Sequence, residues 1–174
     1  MLYKLFVPAQ AVGAGLVYFD LFSPSGTGRR MKVLSVLPVV SGAAAVTGTL
    51  AVDLFLTRTT AVGTGGTAAT SEGTSLTAAT ISAHNHNQPF APTWGSARLT
   101  PSGGATAGAV LSMRSVFTEE TADAAYARVA DMARTFDSVG GIVVPNGTGI
   151  RVVQGAVASV GNIGFDVLFH MEMA

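Results

Sequence analysis

The stretch VVPNGTGIRV, residues 143–152, sets Gly147 and Gly149 between two apolar runs, and its reading decides the fold. A dinucleotide fingerprint runs G-x-G-x-x-G from a strand into a helix, whose N-terminus receives the pyrophosphate. Here Val152 stands where the third glycine belongs, and the following IRVVQ is strand-like. Asn146-Gly147 supplies the positive φ angles of a tight turn, and Pro145 closes the strand before it. The stretch is therefore a bend between two strands, and an α/β nucleotide fold loses its only support.

The same two-residue rhythm appears on both sides of this bend. In TLAVDLFLTR, residues 49–58, Leu50, Val52, Leu54 and Leu56 share one face while Thr49, Asp53 and Thr57 share the other. Near the end of the sequence Ile163, Phe165, Val167, Phe169 and Met171 point one way, and Asp166, His170 and Glu172 the other. Further strands are predicted at 2–8, 15–22, 30–38, 108–117, 141–145 and 149–154. Segments 15–22 and 30–38 are apolar on both faces, so each is expected inside a sandwich or against another subunit.

Residues 61–80 and 84–106, rich in Gly, Ala, Thr, Ser and Pro, read as long loops, the second wandering over the surface. One segment departs from strand periodicity. Residues 118–136 place Ala122, Tyr126, Val129, Ala133 and Phe136 at helical spacing after an acidic first turn, which predicts one helix capping the body. The expected architecture is mostly β: an antiparallel β-sandwich of jelly-roll type, one domain over residues 1–174 with one short helix near 118–136.

Composition narrows the function classes. The 174 residues suit one domain that buries ~70% of its unfolded surface, and with no cysteine it uses neither disulfides nor thiolate metal sites. Ten basic and ten acidic residues cancel, and only 11% of residues are charged, less than half the ~25% usual in globular chains. Lys4 and Lys32 are the only lysines and the arginines are scattered apart from Arg29-Arg30, so no basic stripe exists for nucleic acid. Pro8 and Gln10 interrupt the apolar start, which argues against a signal peptide. The uncharged run 33–52 is long enough to span a bilayer, but Pro38 and Ser41-Gly42 break it into strand, turn and strand.

Catalytic signatures are incomplete. No lysine neighbours a glycine-rich loop, and the nearest match to a nucleophile elbow, Val157-Ala158-Ser159-Val160-Gly161, lacks its first glycine. His84 and His86 have the spacing by which an extended segment holds zinc or iron; the third ligand would have to be His170 or a loop carboxylate such as Glu72. A polar surface loop explains the pair more simply. Trp94 follows in HNHNQPFAPTWGSARL, where it could stack on a sugar, although a tryptophan among prolines more often anchors its loop. Asn146-Gly147-Thr148 matches a glycosylation sequon that the turn already accounts for. No catalytic, cofactor or metal residue is assigned.

VTGTLAVDLFLTRTTAVGTGGTAATSEGTSLTAATI (46–81), ARLTPSGGATAGAVL (97–111), VFTEET (116–121) and GIVVPNGTGIRVVQGAVASVGNIGFDVLF (141–169) together carry a resemblance. The chain, over roughly residues 30–172, resembles small accessory structural proteins of tailed bacteriophages. The resemblance implies a β-sandwich subunit on the virion, most plausibly a capsid decoration or cement protein. The other possibility is a receptor- or glycan-binding head-fibre, neck or tail component. It implies the major capsid protein or other virion proteins as partners, and a place on the capsid surface after synthesis in the host cytoplasm. It brings no catalytic residue. Sparse charge and doubly apolar strands independently point to contact with copies of the same chain, in a homo-oligomer such as a trimer. A metalloenzyme on a cupin-like jelly roll ranks last.

Overall fold

A computed structural model describes residues 2–23, 25–26, 28–41, 48, 51–71, 80–83, 95–103, 107–118, 131–133 and 140–173. Among these residues twelve strands form: β1 (Leu2–Ala11), β2 (Val17–Phe22), β3 (Arg29–Ser41), β4 (Ala51–Thr59), β5 (Thr67–Ala68), β6 (Thr70–Ser71), β7 (Thr80–Ala83), β8 (Ser96–Leu99), β9 (Ala107–Phe117), β10 (Ile142–Val144), β11 (Gly149–Gln154) and β12 (Asn162–Met173). They make two six-stranded sheets, ordered β10-β3-β12-β1-β7-β6 and β5-β8-β2-β11-β4-β9. Every pairing is antiparallel except that of β6 with β7.

The order has a simple origin. β1 pairs with β12, β2 with β11, β3 with β10 and β4 with β9, as in one long antiparallel ribbon folded at the β4–β9 end. Rolling the ribbon creates the β3–β12 and β4–β11 pairings and lays the two halves face to face. Four consecutive strands of each sheet, β10-β3-β12-β1 and β2-β11-β4-β9, then have the strand order of a jelly roll. All eight of these strands are the eight expected from periodicity.

Alternation places the core. On β12, Ile163, Phe165, Val167, Phe169 and Met171 are buried while Asp166, His170 and Glu172 lie outside. Val52, Leu54 and Leu56 of β4 meet them from the other sheet. Phe165 bridges the two sheets, its ring 5.2 Å from Tyr18 and 5.4 Å from Phe19 of β2. The polar ends of this core are satisfied: the Tyr18 hydroxyl and the Gly13 N–H both donate to Gln154 Oε1, at 2.7 and 2.8 Å. Gly164 is required on β12, because a Cβ there would stand 2.7 Å from the Val7 carbonyl oxygen at the β1 bulge.

Several expectations change. The helix near 118–136 falls largely outside the described residues, and where the chain is described, at Thr118 and 131–133, it is not helical. Residues 131–133 instead strap one side of the sandwich. Met132 N–H donates to the Val36 carbonyl of β3 at 2.8 Å, and its own carbonyl accepts from Ser112 of β9 at 2.8 Å. Asp131 fixes the strap by accepting from Val36 N–H (2.9 Å), Ala133 N–H (2.8 Å) and the Ser35 hydroxyl. Met132 and Ala133 are thereby buried between the sheets.

The long loops also carry structure. The chain leaves β4, pairs as β5 with β8, crosses between the sheets at Ala69 and enters β6, closing the opposite side. Asp20, in the middle of β2, latches this excursion: its carboxylate accepts from Gly63 N–H at 2.7 Å and Arg98 N–H at 3.0 Å. That cover explains why β2 is buried on both faces. Thr57 is buried too, contrary to its expected exposure, because two register shifts against β9 turn this end of β4. Thr49 and Leu50 lie outside the described residues.

The opening stretch forms the expected bend, with one change. Only Gly147 takes a positive φ, 71°, and Thr148 N–H closes the turn on the Pro145 carbonyl at 3.1 Å. β10 and β11 belong to different sheets, so this is an arch and not a hairpin. An arch has no need for the mirror-image turn with two positive φ angles that a hairpin's twist demands.

Candidate functional site

Most of the residues singled out for chemistry fall where the structure is not described. His84, His86, Trp94 and Glu72 lie outside the described residues. His170 stands on the outer face of β12 with Nδ1 3.5 Å from Glu172 Oε1, and Glu172 also accepts from Arg30 Nε at 3.2 Å. Although slight burial opposes it, hydrogen bonds from Arg30 and His170 and the Lys32 and Arg30 charges hold the Glu172 carboxyl below its usual range. Among the described residues no three His, Asp or Glu side chains gather to hold a metal. Ser159 of the broken elbow donates to the Ala51 carbonyl at 2.7 Å, tying its turn to β4.

Asp20 is the one deeply buried carboxyl among the described residues. Burial pushes its pKa up, while the Gly63 and Arg98 N–H groups and the Arg98 and Arg151 charges pull it back. Gly63 and Arg98 belong to the latch, Arg151 stands opposite Asp20 on β11, and Arg98 itself donates to the Gly65 carbonyl at 2.8 Å. Its work is to hold the excursion in place. A single Asp in the apolar run LVYFDLF was the available signal for such a partnered group.

What the fold does present is apolar surface on both outer faces. β9 is an edge strand of 11 residues, the only long edge among the described strands. Natural edges are usually blunted by charge, proline or brevity; β9 has no proline and one charged residue, Arg114. It turns Val110, Met113 and Phe117 outward, 60%, 45% and 53% exposed. Met113 lies beside Phe55 of β4, and Phe55 beside Val153 of β11, so the apolar row continues across the sheet.

The second surface is the outer face of β3, β12 and β1. Two open grooves lie there, one of about 430 Å³ bordered by Phe6, Val39 and Gly164, the other of about 240 Å³ bordered by Leu37 and Leu168. Asp166 lines both, and its ion pair with Lys4 Nζ at 3.0 Å stands in the middle of the face. The glycine that β1's bulge demands is also what opens the larger groove. Comparison with protein-family models, with curated proteins and with solved structures finds no match. The surfaces themselves therefore carry the functional reading.

Proposed function

We propose that this chain is a structural subunit of a bacteriophage virion, a decoration or cement protein that sits on the outside of the head and joins neighbouring shell subunits. The observation that carries the proposal is the β9 edge: a long strand at the end of its sheet's order with three large apolar side chains facing out. Such an edge invites a partner chain, which adds backbone hydrogen bonds while its side chains cover Val110, Met113 and Phe117. The partner is the shell protein. The chain is made in the host cytoplasm and acts on the finished particle.

Three other features support the reading. The jelly roll resists deformation because its two open sides are closed, one by residues 131–133 and the other by the crossing at Ala69. A chain with 11% charged residues makes contacts that salt screens weakly. The sequence resemblance to accessory virion proteins points the same way. A subunit that binds only the intact shell shifts the equilibrium toward it, by RT ln(1 + [L]/Kd) at each site.

Heating matched particles with and without the protein tests this. Particles lacking it are expected to assemble, to rupture at a lower temperature, and to regain resistance when purified protein is added back in high salt. Equal rupture temperatures with loss of host adsorption would replace cement by receptor binding.

A further inference from the structure

We infer that Asn146 is a site of spontaneous modification in the folded protein, where water replaces its side-chain amide by a carboxylate. Such a site needs an asparagine, an unhindered backbone nitrogen after it, and neither group held by a hydrogen bond. Asparagines occur at 85, 87, 146 and 162, and His86, Gln88 and Ile163 follow the other three. Only Asn146 precedes a glycine, whose missing Cβ leaves the peptide nitrogen open to approach.

The fold keeps that opening. Thr148 closes the arch by donating its N–H and its hydroxyl to the Pro145 carbonyl, at 3.1 and 2.8 Å. Its own carbonyl accepts from Ser23 N–H at 2.8 Å. These bonds grip the chain around the Asn146–Gly147 peptide but engage neither Gly147 N–H nor the Asn146 side chain. Asn146 Oδ1 is shut off from water with no donor, one of two such side-chain atoms among the described residues. The other, Ser23 Oγ, belongs to the segment that pairs with the arch. A buried carbonyl without a partner is destabilised, so the arch gives the amide no hydrogen bond that reaction would forfeit. An added Cβ on Gly147 would meet nothing closer than Ser25 Cβ at 3.8 Å, so the peptide has room to turn. Both residues are only partly buried, and water reaches them. Asn162 lies instead within β12, between β1 and β3, where the ladders fix the peptide that follows it.

The chemistry balances with water alone. Gly147 nitrogen gives its proton to hydroxide and bonds to Asn146 Cγ. The Cγ–Nδ2 bond breaks, the departing nitrogen takes a proton from water and leaves as ammonia, and a five-membered succinimide remains. Water then opens the ring at one of its two carbonyls. Opening at Cγ gives aspartate; opening at the main-chain carbonyl gives isoaspartate, whose backbone runs through Cβ and Cγ. One water is consumed, one ammonia is released, and nothing is oxidised or reduced. Either product adds a negative charge to a chain whose formal net charge is zero. Isoaspartate also adds one atom to the turn that Thr148 closes on Pro145. The inference concerns the isolated chain and stands without the virion assignment.

Ageing the purified protein at mildly alkaline pH tests it, beside a sample held in concentrated urea. Trypsin releases residues 135–151, which contain a single asparagine. That peptide is expected to show the mass change of NH₂ replaced by OH, and the intact protein a new band one charge more acidic. Conversion at Asn146 is expected to run at least about tenfold faster than at Asn162, and within about tenfold of its own rate in urea. It is also expected to slow in mild acid, where the Gly147 nitrogen keeps its proton. Asn146→Gln retains an amide but must close a larger ring, and is expected to lose the acidic band while its circular dichroism matches the parent's. The peptide mass is read on the parent and does not depend on the variant folding. A folded rate more than about a hundredfold below that in urea would mean that the arch locks the amide, and would overturn the inference. Equal conversion at Asn162, or an acidic band that persists in folded Asn146→Gln, would overturn it as well.

Discussion

Replacing Phe165 by alanine removes the side chain that joins the two halves of the rolled ribbon. Phe165 is 1% exposed on the central strand of its sheet and touches both Tyr18 and Phe19 across the sandwich. Truncating a buried phenylalanine costs about 3–5 kcal/mol through lost transfer energy and the cavity left behind. The two ring contacts, at centroid distances of 5.2 and 5.4 Å, put this site at the upper end, since each adds about 0.5–1.5 kcal/mol beyond burial. Total stability of a single domain is about 5–15 kcal/mol, so the alanine variant stands at the limit of folding. Phe165→Leu keeps most of the volume and loses the rings, and is expected to remain folded with a loss of about 1–3 kcal/mol. Urea titration followed by circular dichroism measures both, and Met173→Ala, at 79% exposure on the same strand, is the neutral control. A Phe165→Leu midpoint equal to the parent's would mean that the ring does not bridge the sheets and that the register of β12 is wrong.

Burial raises the pKa of Tyr18 and Tyr3 above the ordinary 10.0, with Arg29 partly offsetting it at Tyr3. The folded state thus holds these protons more tightly, and their contribution is whole below pH 10.0 and falls away as pH rises through the folded-state values. Tyrosinate absorbance from two of the three tyrosines should therefore appear only as the protein unfolds in alkali; three phenols titrating together near pH 10 in folded protein would contradict the burial. Asp20→Asn points an amide NH₂ at either Gly63 N–H or Arg98 N–H and should cost about 1–3 kcal/mol, with faster hydrogen exchange at those two amides; unchanged exchange would remove the latch role. Gly164→Ala drives a Cβ into the Val7 carbonyl and should lower the urea midpoint by an amount corresponding to about 1–3 kcal/mol, whereas a neutral result would mean that the β1 bulge relaxes freely.

Seven of the eight jelly-roll strands were legible because each, at six residues or more, is long enough for an apolar pattern to repeat, and the three-residue β10 was legible from the apolar run that Pro145 closes. β5 to β8, two to four residues each, show no period at that length and owe their pairing to neighbours distant in sequence. The strap at 131–133 was hidden for another reason: Asp131 acts through the backbone of β3, about a hundred residues away, and no local pattern announces that. The candidate surfaces were half legible. That β3 is apolar on both sides was readable in MKVLSVLPVV, but which side stays open depends on what packs against it. On β9, Val110 and Val116 sit an even number apart and belong on one face of a regular strand. The register shifts against β4 put them on opposite faces, 60% and 3% exposed. Lys4 and Asp166 meet only because β1 and β12 are the two ends of the ribbon.

β12 is the centre of its sheet, flanked by β3 and β1, yet every other strand leaves the ribosome before it. Until it arrives, β1 and β3 have no neighbour between them and the first half of the ribbon has no surface to roll against. No growing chain short of β12 therefore holds a finished core. Closure of the sandwich is deferred until β12 has emerged. The nascent chain spends that interval with its apolar strands open, when a helper that shields extended chains would matter most. The same dependence makes the finished molecule all-or-none, since withdrawing β12 separates β1 from β3 and opens the sandwich.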